Sequence, residues 1–440
     1  EDILTLAETD IEVILPEPLL FIENQLEYLT ISRMIKTRKT TAKRAVFFKG
    51  TLYILDCATT LFDQGWDVFE IDQAVLSLEK IQKMLDILQP ELVFQVNFLN
   101  KIEKTSTKRR KVVVWHIDPI ASPIPRVEPA KSGNLYIFTH NPDHIPVCHE
   151  SGYTHYEYLP LCAVTHKFFP QKLDSKSQKR FDCDISFVGS LMIENQHRLL
   201  TALFNKIETL QQDGSPAWGI IHKWITHLIS NPPAGSKSTQ LIDELQHLLK
   251  KHQLPEVVKI HESEIYVAAA VEEFLAYLWR KRVVSSLVPL GIHVWGTEEW
   301  KADFAQNYRG SANHYLDLPK IYIASKINLD ISRINQPNII TMRIFDILAC
   351  AGFVLADRNE SLLELFKEDW DIVCYDTPAE AVDKIKYYLT HESERRTIAQ
   401  RGYEKVVLSH TFVHRINHIL TKTGLKSQSY ETVPDKIWEH

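Results

Sequence analysis

The amino-acid sequence predicts an α/β protein built from two doubly wound domains. Short apolar runs of strand length alternate with longer segments in which apolar residues recur at helical spacing, and this alternation indicates parallel sheets covered by helices on both faces. The alternation stops at a polar, basic segment, residues 166–182, which is predicted to be a linker, and then starts again. With 440 residues, the chain is long enough for two large domains.

The first domain is predicted at residues 43–165. It follows an N-terminal extension, residues 1–42, which includes a helical-looking stretch from Leu19 to Ile35. The segment Val75–Leu88 has the apolar spacing of a helix. The strand candidates are Arg44–Phe48, Trp66–Ile71, Leu92–Val96, Lys111–Ile117, Leu135–Thr139 and Glu157–Leu159.

The second domain is predicted at residues 183–424, followed by a tail, residues 425–440. Residues 200–285 are predicted to be mostly helical. Strands are predicted at Ile185–Val188, His293–Trp295, Ile327–Ile331, Phe353–Ala356 and Ile372–Tyr375, and helices at Arg343–Cys350, Ser361–Phe366, Ala379–Leu389 and Glu392–Ser409. Because doubly wound domains bind ligands at the carboxyl ends of their strands, we expect functional residues there and in the cleft between the domains.

The composition excludes several classes of protein. Hydrophobic residues make up 45% and charged residues 24% of the chain, which is typical of a packed soluble protein. The net charge of −6 gives no overall basic balance for binding nucleic acid. No stretch reaches the ~18–20 apolar residues of a membrane span, and the acidic start predicts no signal peptide. Six cysteines without a CxxC pair favour buried, reduced thiols and a cytoplasmic setting.

Three segments of the second half carry a family resemblance. They are YRGSANHYLDLPKIYIASKINLDISR (308–333), QPNIITMRIFDILACAGFVLADRNESLLELF (336–366) and YDTPAEAVDKIKYYLTHESERRTIAQRGYEKVVLSHTFVHR (375–415). They resemble the group 1-like C-terminal domain of GT-B glycosyltransferases, and within these the bacterial CgeB-like, spore-maturation type. CDISFVGSL (183–191) is similar to the first strand of that domain, and WHIDP (115–119), FTHNPD (138–143) and YLPLCA (158–163) extend a looser match. The resemblance implies two Rossmann-like domains that face a cleft.

The resemblance also implies a donor site in the second domain. Gly189 and Ser190 leave the first strand, where a glycine allows close approach of a ligand and the next helix start can face a phosphate. Arg198 lies further along and could reach a diphosphate. The alternative is an ordinary strand-to-helix turn with a surface arginine.

The start of a predicted helix supplies further donor-site candidates. Thr341, Met342 and Arg343 would place backbone N–H groups and a guanidinium beside the sugar diphosphate. Asp346 stands where retaining relatives have a glutamate that holds the ribose, while the companion glutamate of their E-x7-E pair falls near Asn338 and is missing. The alternative is that Arg343 and Asp346 pair on the helix surface.

Four other residues complete the predicted donor site. Arg309 and Gly310 precede a helix, where related transferases contact the base. Lys326 and Asn328 lie at the next strand, where the family carries a similar lysine. For Lys326 the alternative is a salt bridge at the rim.

The first domain should supply the acceptor chemistry. His116 and Asp118 follow a strand at its carboxyl end, so either could act as a base on an acceptor hydroxyl if the enzyme inverts. Asp118 before Pro119 is equally typical of a turn. Gly50 would line the cleft opposite the donor, or form a tight turn. The resemblance favours retention, and a base at His116 or Asp118 implies inversion, so the stereochemistry stays open.

Metal and nucleotide motifs of other classes are weak. His140, His144, His149 and His155 suggest zinc, but Pro142 interrupts the helical spacing of the first two, so no metal is expected. Asp182-Cys183-Asp184 has the form of a DxD motif but starts a strand after a linker. The absence of a Walker loop and of GxGxxG argues against P-loop NTPases and standard NAD enzymes.

The sequence therefore predicts a cytoplasmic glycosyltransferase that needs neither metal nor other cofactor. Its partners would be a nucleotide-diphosphate sugar and an acceptor glycan or protein, with no nucleic acid and no integral membrane segment. One alternative is a catalytically degenerate binding or scaffold module, favoured by the missing glutamate and by Asp346. Another is a nucleotide-sugar epimerase or hydrolase on the same fold.

Overall fold

The strands form separate sheets in two compact units of the chain. The computed structural model describes residues 11–14, 27–32, 43–49, 53–72, 76–97, 110–117, 124–125, 127, 133–191, 202–210, 217–230, 238–260, 263–332 and 338–425. One unit contains the described residues up to Pro160 together with those from Thr411 onward, and the other is Leu161–His410.

The first unit contains an eight-stranded sheet in the order β1-β2-β4-β3-β5-β6-β7-β8. All neighbouring strands are parallel except β2 and β4, which are antiparallel. The strands are β1 (Ile11–Ile14), β2 (Glu27–Ser32), β3 (Arg44–Phe48), β4 (Asp67–Ile71), β5 (Leu92–Val96), β6 (Lys111–His116), β7 (Leu135–Thr139) and β8 (His155–Tyr158). Its helices are α1 (Ile54–Asp63), α2 (Leu78–Leu88), α3 (His144–Glu150) and α14 (Phe412–Thr423).

The second unit is built on a five-stranded parallel sheet in the order β12-β9-β13-β14-β15, with a separate antiparallel hairpin, β10-β11. The strands are β9 (Cys183–Val188), β10 (Val257–Ile260), β11 (Ser263–Tyr266), β12 (His293–Trp295), β13 (Ser325–Asp330), β14 (Val354–Asp357) and β15 (Val373–Tyr375). Its helices are α4 (Ser175–Phe181), α5 (Trp218–Ser230), α6 (Ser238–Lys251), α7 (Val267–Leu287), α8 (Trp300–Phe304), α9 (Leu318–Ala324), α10 (Met342–Ala349), α11 (Glu360–Leu365), α12 (Pro378–Thr390) and α13 (Glu392–Ser409), and residues 202–210 are also helical.

The predicted α/β class is confirmed in both units. The central strands are buried along their whole length, as in β5 and β7, which is expected of parallel strands covered on both faces. The face-to-face arrangement of two domains stays a prediction. No helix in the described part of the chain is long and apolar enough to cross a membrane.

Three local expectations differ from the structure. The helical-looking stretch from Leu19 to Ile35 contains strand β2, because its Tyr28, Thr30 and Ile31 favour a strand and it pairs with β4. The mostly helical region 200–285 also contains the β10-β11 hairpin. The segment predicted as a linker contains α4, which begins where the Asp174 side chain accepts a hydrogen bond from the Ser177 backbone N–H.

The last helix, α14, belongs to the first unit rather than to the second. Phe412 packs against Tyr53, with ring centres 5.4 Å apart, and against Trp115 at 6.2 Å. Arg415 Nε donates to the Pro160 carbonyl at 2.8 Å. The sequence-based limit at residue 424 placed this helix in the second domain.

Candidate functional site

The carboxyl edge of the five-stranded sheet gathers most of the predicted donor residues. Because the five strands are parallel, their carboxyl ends meet at one edge, which is where ligands of such sheets bind. Gly189 follows β9, Gly296 follows β12, Ser332 lies just beyond β13, and Asp357 ends β14. Helix α10 begins at Met342, with Thr341 as its N-cap.

Two glycines allow the chain to pack closely at this edge. The Gly189 N–H donates to the Trp295 carbonyl at 2.9 Å, and Trp300 Nε1 donates to the Gly189 carbonyl at 2.8 Å. A Cβ added to Gly296 would lie 2.1 Å from the Gly189 carbonyl oxygen, so a side chain there would displace the backbone. A Cβ on Gly189 would lie 3.2 Å from Arg343 Nη2. The guanidinium of Arg343 therefore faces the open backbone of Gly189.

Asp330 fixes Arg343 in this position. Arg343 Nη1 and Thr341 Oγ1 donate to the same Asp330 oxygen, Oδ1, at 2.5 and 2.7 Å. Asp330 ends β13 and is fully buried, whereas the Arg343 side chain stays partly exposed and lies 5.2 Å from the centre of the Phe187 ring. The alternative of a surface pair between Arg343 and Asp346 is wrong, because Arg343 pairs with Asp330 across the sheet edge.

Asp346 points into the unit, one helical turn after Arg343. Asp346 is only 1% exposed. The pKa of the neighbouring Cys350 thiol is raised, mainly by burial of the thiol and in smaller part by the negative charge of Asp346. Its predicted contact with a ribose stays a prediction, since protein atoms cover the carboxylate in this structure.

A second buried carboxylate, Asp357, ties the strand ends together. Its Oδ2 accepts hydrogen bonds from Trp279 Nε1 at 3.0 Å and from the Ser332 N–H at 2.8 Å. Ser332 Oγ in turn donates to Asp330 Oδ2 at 3.3 Å. Burial, with a smaller contribution from the charge of Asp330, raises the pKa of Asp357 to about 7.

Arg280 links the loop after β9 to the end of β13. It is a buried residue of α7 whose Nη1 donates to the Ser190 carbonyl at 2.8 Å and whose Nη2 donates to the Ile331 carbonyl at 3.5 Å. Sequence reasoning missed Arg280, Asp330 and Asp357. The two aspartates did leave a signal, since each is an acid at the carboxyl end of a strand, where ligands of parallel sheets bind.

Arg309 and Gly310 face different ways. Gly310 has a φ of +101° and its carbonyl accepts from the Gly296 N–H at 3.0 Å, so it joins the carboxyl edge. The Arg309 side chain donates to His293 Nε2 at 2.8 Å, and His293 begins β12 at the opposite edge of the sheet. The structure therefore brings Gly310, but not the Arg309 guanidinium, to the candidate site.

Lys326 and Asn328 lie away from the carboxyl edge. Lys326 is near the start of β13, roughly 13 Å along the strand from Asp330, and forms a half-exposed ion pair with Asp184 at 2.7 Å. Asn328 is buried within the sheet, where its Oδ1 accepts from Ser186 Oγ at 2.8 Å and its Nδ2 donates to the Tyr322 carbonyl at 3.1 Å. The rim salt bridge considered for Lys326 is thus present. Gly50, Asp118 and Arg198 lie outside the described residues.

His116 belongs to a buried histidine cluster in the first unit. Its ring centre lies 4.9 Å from that of His144, and its carbonyl oxygen is 3.3 Å from His140 Nδ1. Burial is the main cause that lowers the pKa of His116 to about 3 and that of His140 to about 4. A neutral imidazole with so low a pKa is a weak proton acceptor at pH 7. Within the described ranges, no three His, Cys, Asp or Glu residues are grouped to hold a metal ion.

The carboxyl edge can hold an anion. It combines the N–H groups at the start of α10, the Arg343 guanidinium and the close backbone of Gly189, all of which suit phosphate oxygens.

Comparison with known proteins agrees with this chemistry. Residues 272–421 match a family described as glycosyl transferase-like. The match covers about a third of the chain and includes Arg280, Asp330, Arg343 and Asp357. The glycosyltransferase group 1-like resemblance of the second half is therefore confirmed, whereas the CgeB-like type stays a prediction. A search of curated protein sequences found no significant match.

Several solved structures are similar at low identity. Sucrose-phosphate synthase from Thermosynechococcus elongatus has 10% identity and a TM-score of 0.48 over 86% of this chain and 98% of that one. Anabaena HepE in complex with UDP-glucose has 12% identity and a TM-score of 0.43, over 86% and 98%. T4 phage BGT in complex with UDP and Mn²⁺ has 9% identity and a TM-score of 0.44, over 87% and 100%. Similarities this low assign no role to any residue of this chain.

Proposed function

We propose that the protein transfers a sugar from a nucleotide-diphosphate sugar to an acceptor hydroxyl. The observation that carries this function is the pairing of Asp330 with Arg343 at the start of α10, directly against Gly189. The family match of residues 272–421 supports the transferase class. In this proposal the second unit binds the donor, and the first unit binds a glycan or protein acceptor.

Arg343 is suited to a diphosphate because only part of its guanidinium is used by the protein. Nη1 is bound to Asp330, while Nη2, which makes no hydrogen bond to the described residues, faces Gly189. A phosphate over Gly189 would receive this N–H together with those at the start of α10. The same groups would stabilise the negative charge that develops on the leaving diphosphate. This charge stabilisation does not need a metal or another cofactor in the proposed mechanism.

The family type, the bacterial origin and the cellular location are further proposals. The first two rest on the sequence resemblance, and the third rests on the cysteine thiols. The CgeB-like type and a bacterial origin follow from the resemblance alone. A cytoplasmic location is proposed because all six cysteines are buried and unlinked, which suits a reducing compartment. The low pKa of His116 makes its imidazole a poor general base. If the enzyme inverts the configuration of the sugar, we therefore propose that a group other than His116 accepts the proton of the acceptor hydroxyl.

A second candidate is a binding module that kept the fold and lost catalysis. Two observations favour it: Asp346 is 1% exposed, and Asn338 stands where the companion glutamate would be. Such a module would bind the nucleotide sugar and leave the sugar bond intact.

A turnover assay distinguishes a glycosyltransferase from a hydrolase and from a binding module. We would incubate the protein with a panel of nucleotide sugars, with and without glycan and protein acceptors, and measure released nucleoside diphosphate and the mass of the acceptor. Release of nucleoside diphosphate that depends on the acceptor, with a gain in acceptor mass equal to one sugar, supports sugar transfer. Release without acceptor supports a hydrolase, and tight donor binding without release supports the binding module.

A further inference from the structure

A cavity of about 430 Å³ lies at the amino edge of the five-stranded sheet. It is bounded by the end of α9, the start of β13, the turn before β14 and one face of α13, all in the second unit. Its lining includes Ala324, Lys326, Phe353, Arg395, Arg396 and Ala399. The volume is in the range of small-molecule sites. Because the cavity lies at the opposite ends of the strands from Arg343, it is separate from the candidate donor site.

Arg395 supplies a buried positive charge to this cavity. The residue is 6% exposed, and its Nη1 donates to the Tyr388 carbonyl at 2.6 Å, near the end of α12. Among the described residues, this is the one hydrogen bond of its side chain, and Arg395 forms no ion pair with them. Burial lowers the pKa of Arg395, and the negative charges of Glu392 and Asp184 offset this effect only in part. A buried guanidinium that bonds only to a neutral carbonyl is costly unless a further anion is present.

The neighbouring charges do not supply that anion. Asp184 pairs with Lys326 at 2.7 Å, and Glu392 pairs with Arg396 at 2.6 Å. Each nearby carboxylate therefore already has its own cation, and Arg395 is left as the third positive charge beside two negative ones. The lining also includes Glu392 itself, the uncharged polar residues Ser325 and Gln400, and the apolar residues Ala324, Phe353 and Ala399.

We propose that this cavity binds the phosphate group of a small phosphorylated compound. The remaining N–H groups of Arg395 would bind the phosphate, and Lys326 and Arg396 would add positive charge at the rim. The apolar residues of the lining, Ala324, Phe353 and Ala399, would contact the rest of the molecule. The volume exceeds that of a bare phosphate, which leaves room for an attached group of the size of a sugar ring.

Calorimetric titration tests the proposal, with inorganic phosphate and a hexose phosphate as probes and chloride at matched ionic strength as the reference. We expect saturable binding, weakened at least about tenfold in Arg395→Met because a charge-assisted hydrogen bond is lost. Lys326→Gln should also weaken binding, while Arg395→Lys should restore part of it. Arg401→Ala is the matched control, since it removes a guanidinium that stacks on Trp370 outside the cavity and should leave this binding unchanged. Arg343→Ala, titrated alongside, identifies any binding of the probes at the other edge.

Three results would overturn the proposal: no saturable binding of either probe, equal affinity in wild type and Lys326→Gln, or a loss of binding confined to Arg343→Ala. Arg395 also bonds to the end of α12, so its replacement can lower stability. Thermal melting identifies that case, and the half-exposed Lys326 then decides the outcome, because its replacement leaves the core intact.

Discussion

Asp330 holds two groups at the start of α10 from a fully buried position. Its Oδ1 accepts from both Arg343 and Thr341, so the carboxylate orients the guanidinium that faces Gly189. Asp330→Asn keeps the shape and removes the charge. Because removing one partner of a buried pair leaves the other uncompensated, we expect a loss of about 3 kcal/mol in the free energy of unfolding, together with weaker binding of a nucleotide sugar.

Denaturant unfolding and donor titration measure these two effects. The matched control is Asp184→Asn, which removes a carboxylate from a half-exposed pair and should cost less than about 1 kcal/mol. Equal losses in the two variants would show that Asp330 has no special role in holding Arg343.

Gly296 has no space for a side chain at the carboxyl edge. An added Cβ would lie 2.1 Å from the Gly189 carbonyl oxygen, so Gly296→Ala must displace the strand end that faces Arg343. We expect a loss of about 1–3 kcal/mol from overpacking and a marked loss of donor affinity. Gly133→Ala is the control, since nothing lies within 4 Å of its added Cβ. Unchanged donor affinity in Gly296→Ala would contradict the close packing of this edge.

Among the residues that the structure brings to the candidate site, the sequence predicted those that stand in local motifs. It missed those whose contacts are with residues distant in the chain. Gly189, Gly310, Thr341 and Arg343 stand in turns or at a helix start, where residue type and position are informative. Arg280 acts on the Ser190 carbonyl, 90 residues away, and this pairing has no local pattern. Lys326 and Arg309 also lie close to strands in the sequence. Their side chains nevertheless lie at the amino edge of the sheet, opposite to the carboxyl edge that holds Arg343.

At the scale of elements, strand β14 carries a pH-dependent group at its end. The pKa of Asp357 is raised to about 7, mainly by burial, against about 3.9 in an unfolded chain. Between these values the folded state binds more protons than the unfolded state, so this group lowers the free energy of unfolding as pH rises, by up to about 1.4 kcal/mol per pH unit.

Asp357→Asn removes this dependence because an amide does not ionise. We expect the variant to gain stability relative to wild type as pH rises from about 4 to about 7, and the difference to level off above that. Denaturant unfolding at several pH values measures the difference. A difference that is constant across this window would contradict a raised pKa.

Helix α14 provides a prediction about packing. Phe412 is buried against Tyr53 and Trp115, and Phe412→Ala should cost about 3–5 kcal/mol through the cavity it leaves. The adjacent Val413 is 43% exposed, and Val413→Ala should change stability by less than about 0.5 kcal/mol. Thermal melting compares the two variants. Similar melting temperatures would mean that α14 does not stabilise the first unit.

From β3 onward, most strands of the two large sheets were predictable to within a few residues, because they are short apolar runs between turns. The β10-β11 hairpin and β2 were not, for different reasons. The hairpin lies between long helices and has no strong turn signal, and Glu27–Ser32 stands in a segment whose spacing also suits a helix. In both cases pairing with a partner strand decides the structure, and a single segment does not show its partner.

At the scale of the whole molecule, the two units divide the chain unequally. The second unit carries the parallel sheet whose carboxyl edge collects Gly189, Gly310 and Arg343, and most of the family match lies in it. The first unit receives both the early strands and the last helix. The proposed donor binding is therefore testable by single substitutions in the second unit of the full chain.

The most direct test of the account is a calorimetric titration of nucleoside diphosphates and their sugars, UDP and UDP-glucose among them, into wild type, Arg343→Ala and Arg401→Ala. Arg401 stacks on Trp370 in the same unit and controls for the loss of a guanidinium. The account predicts that one nucleotide series binds wild type and Arg401→Ala with equal affinity and binds Arg343→Ala at least about tenfold more weakly. Equal binding to all three proteins, or no binding to any, would contradict a donor site at this edge.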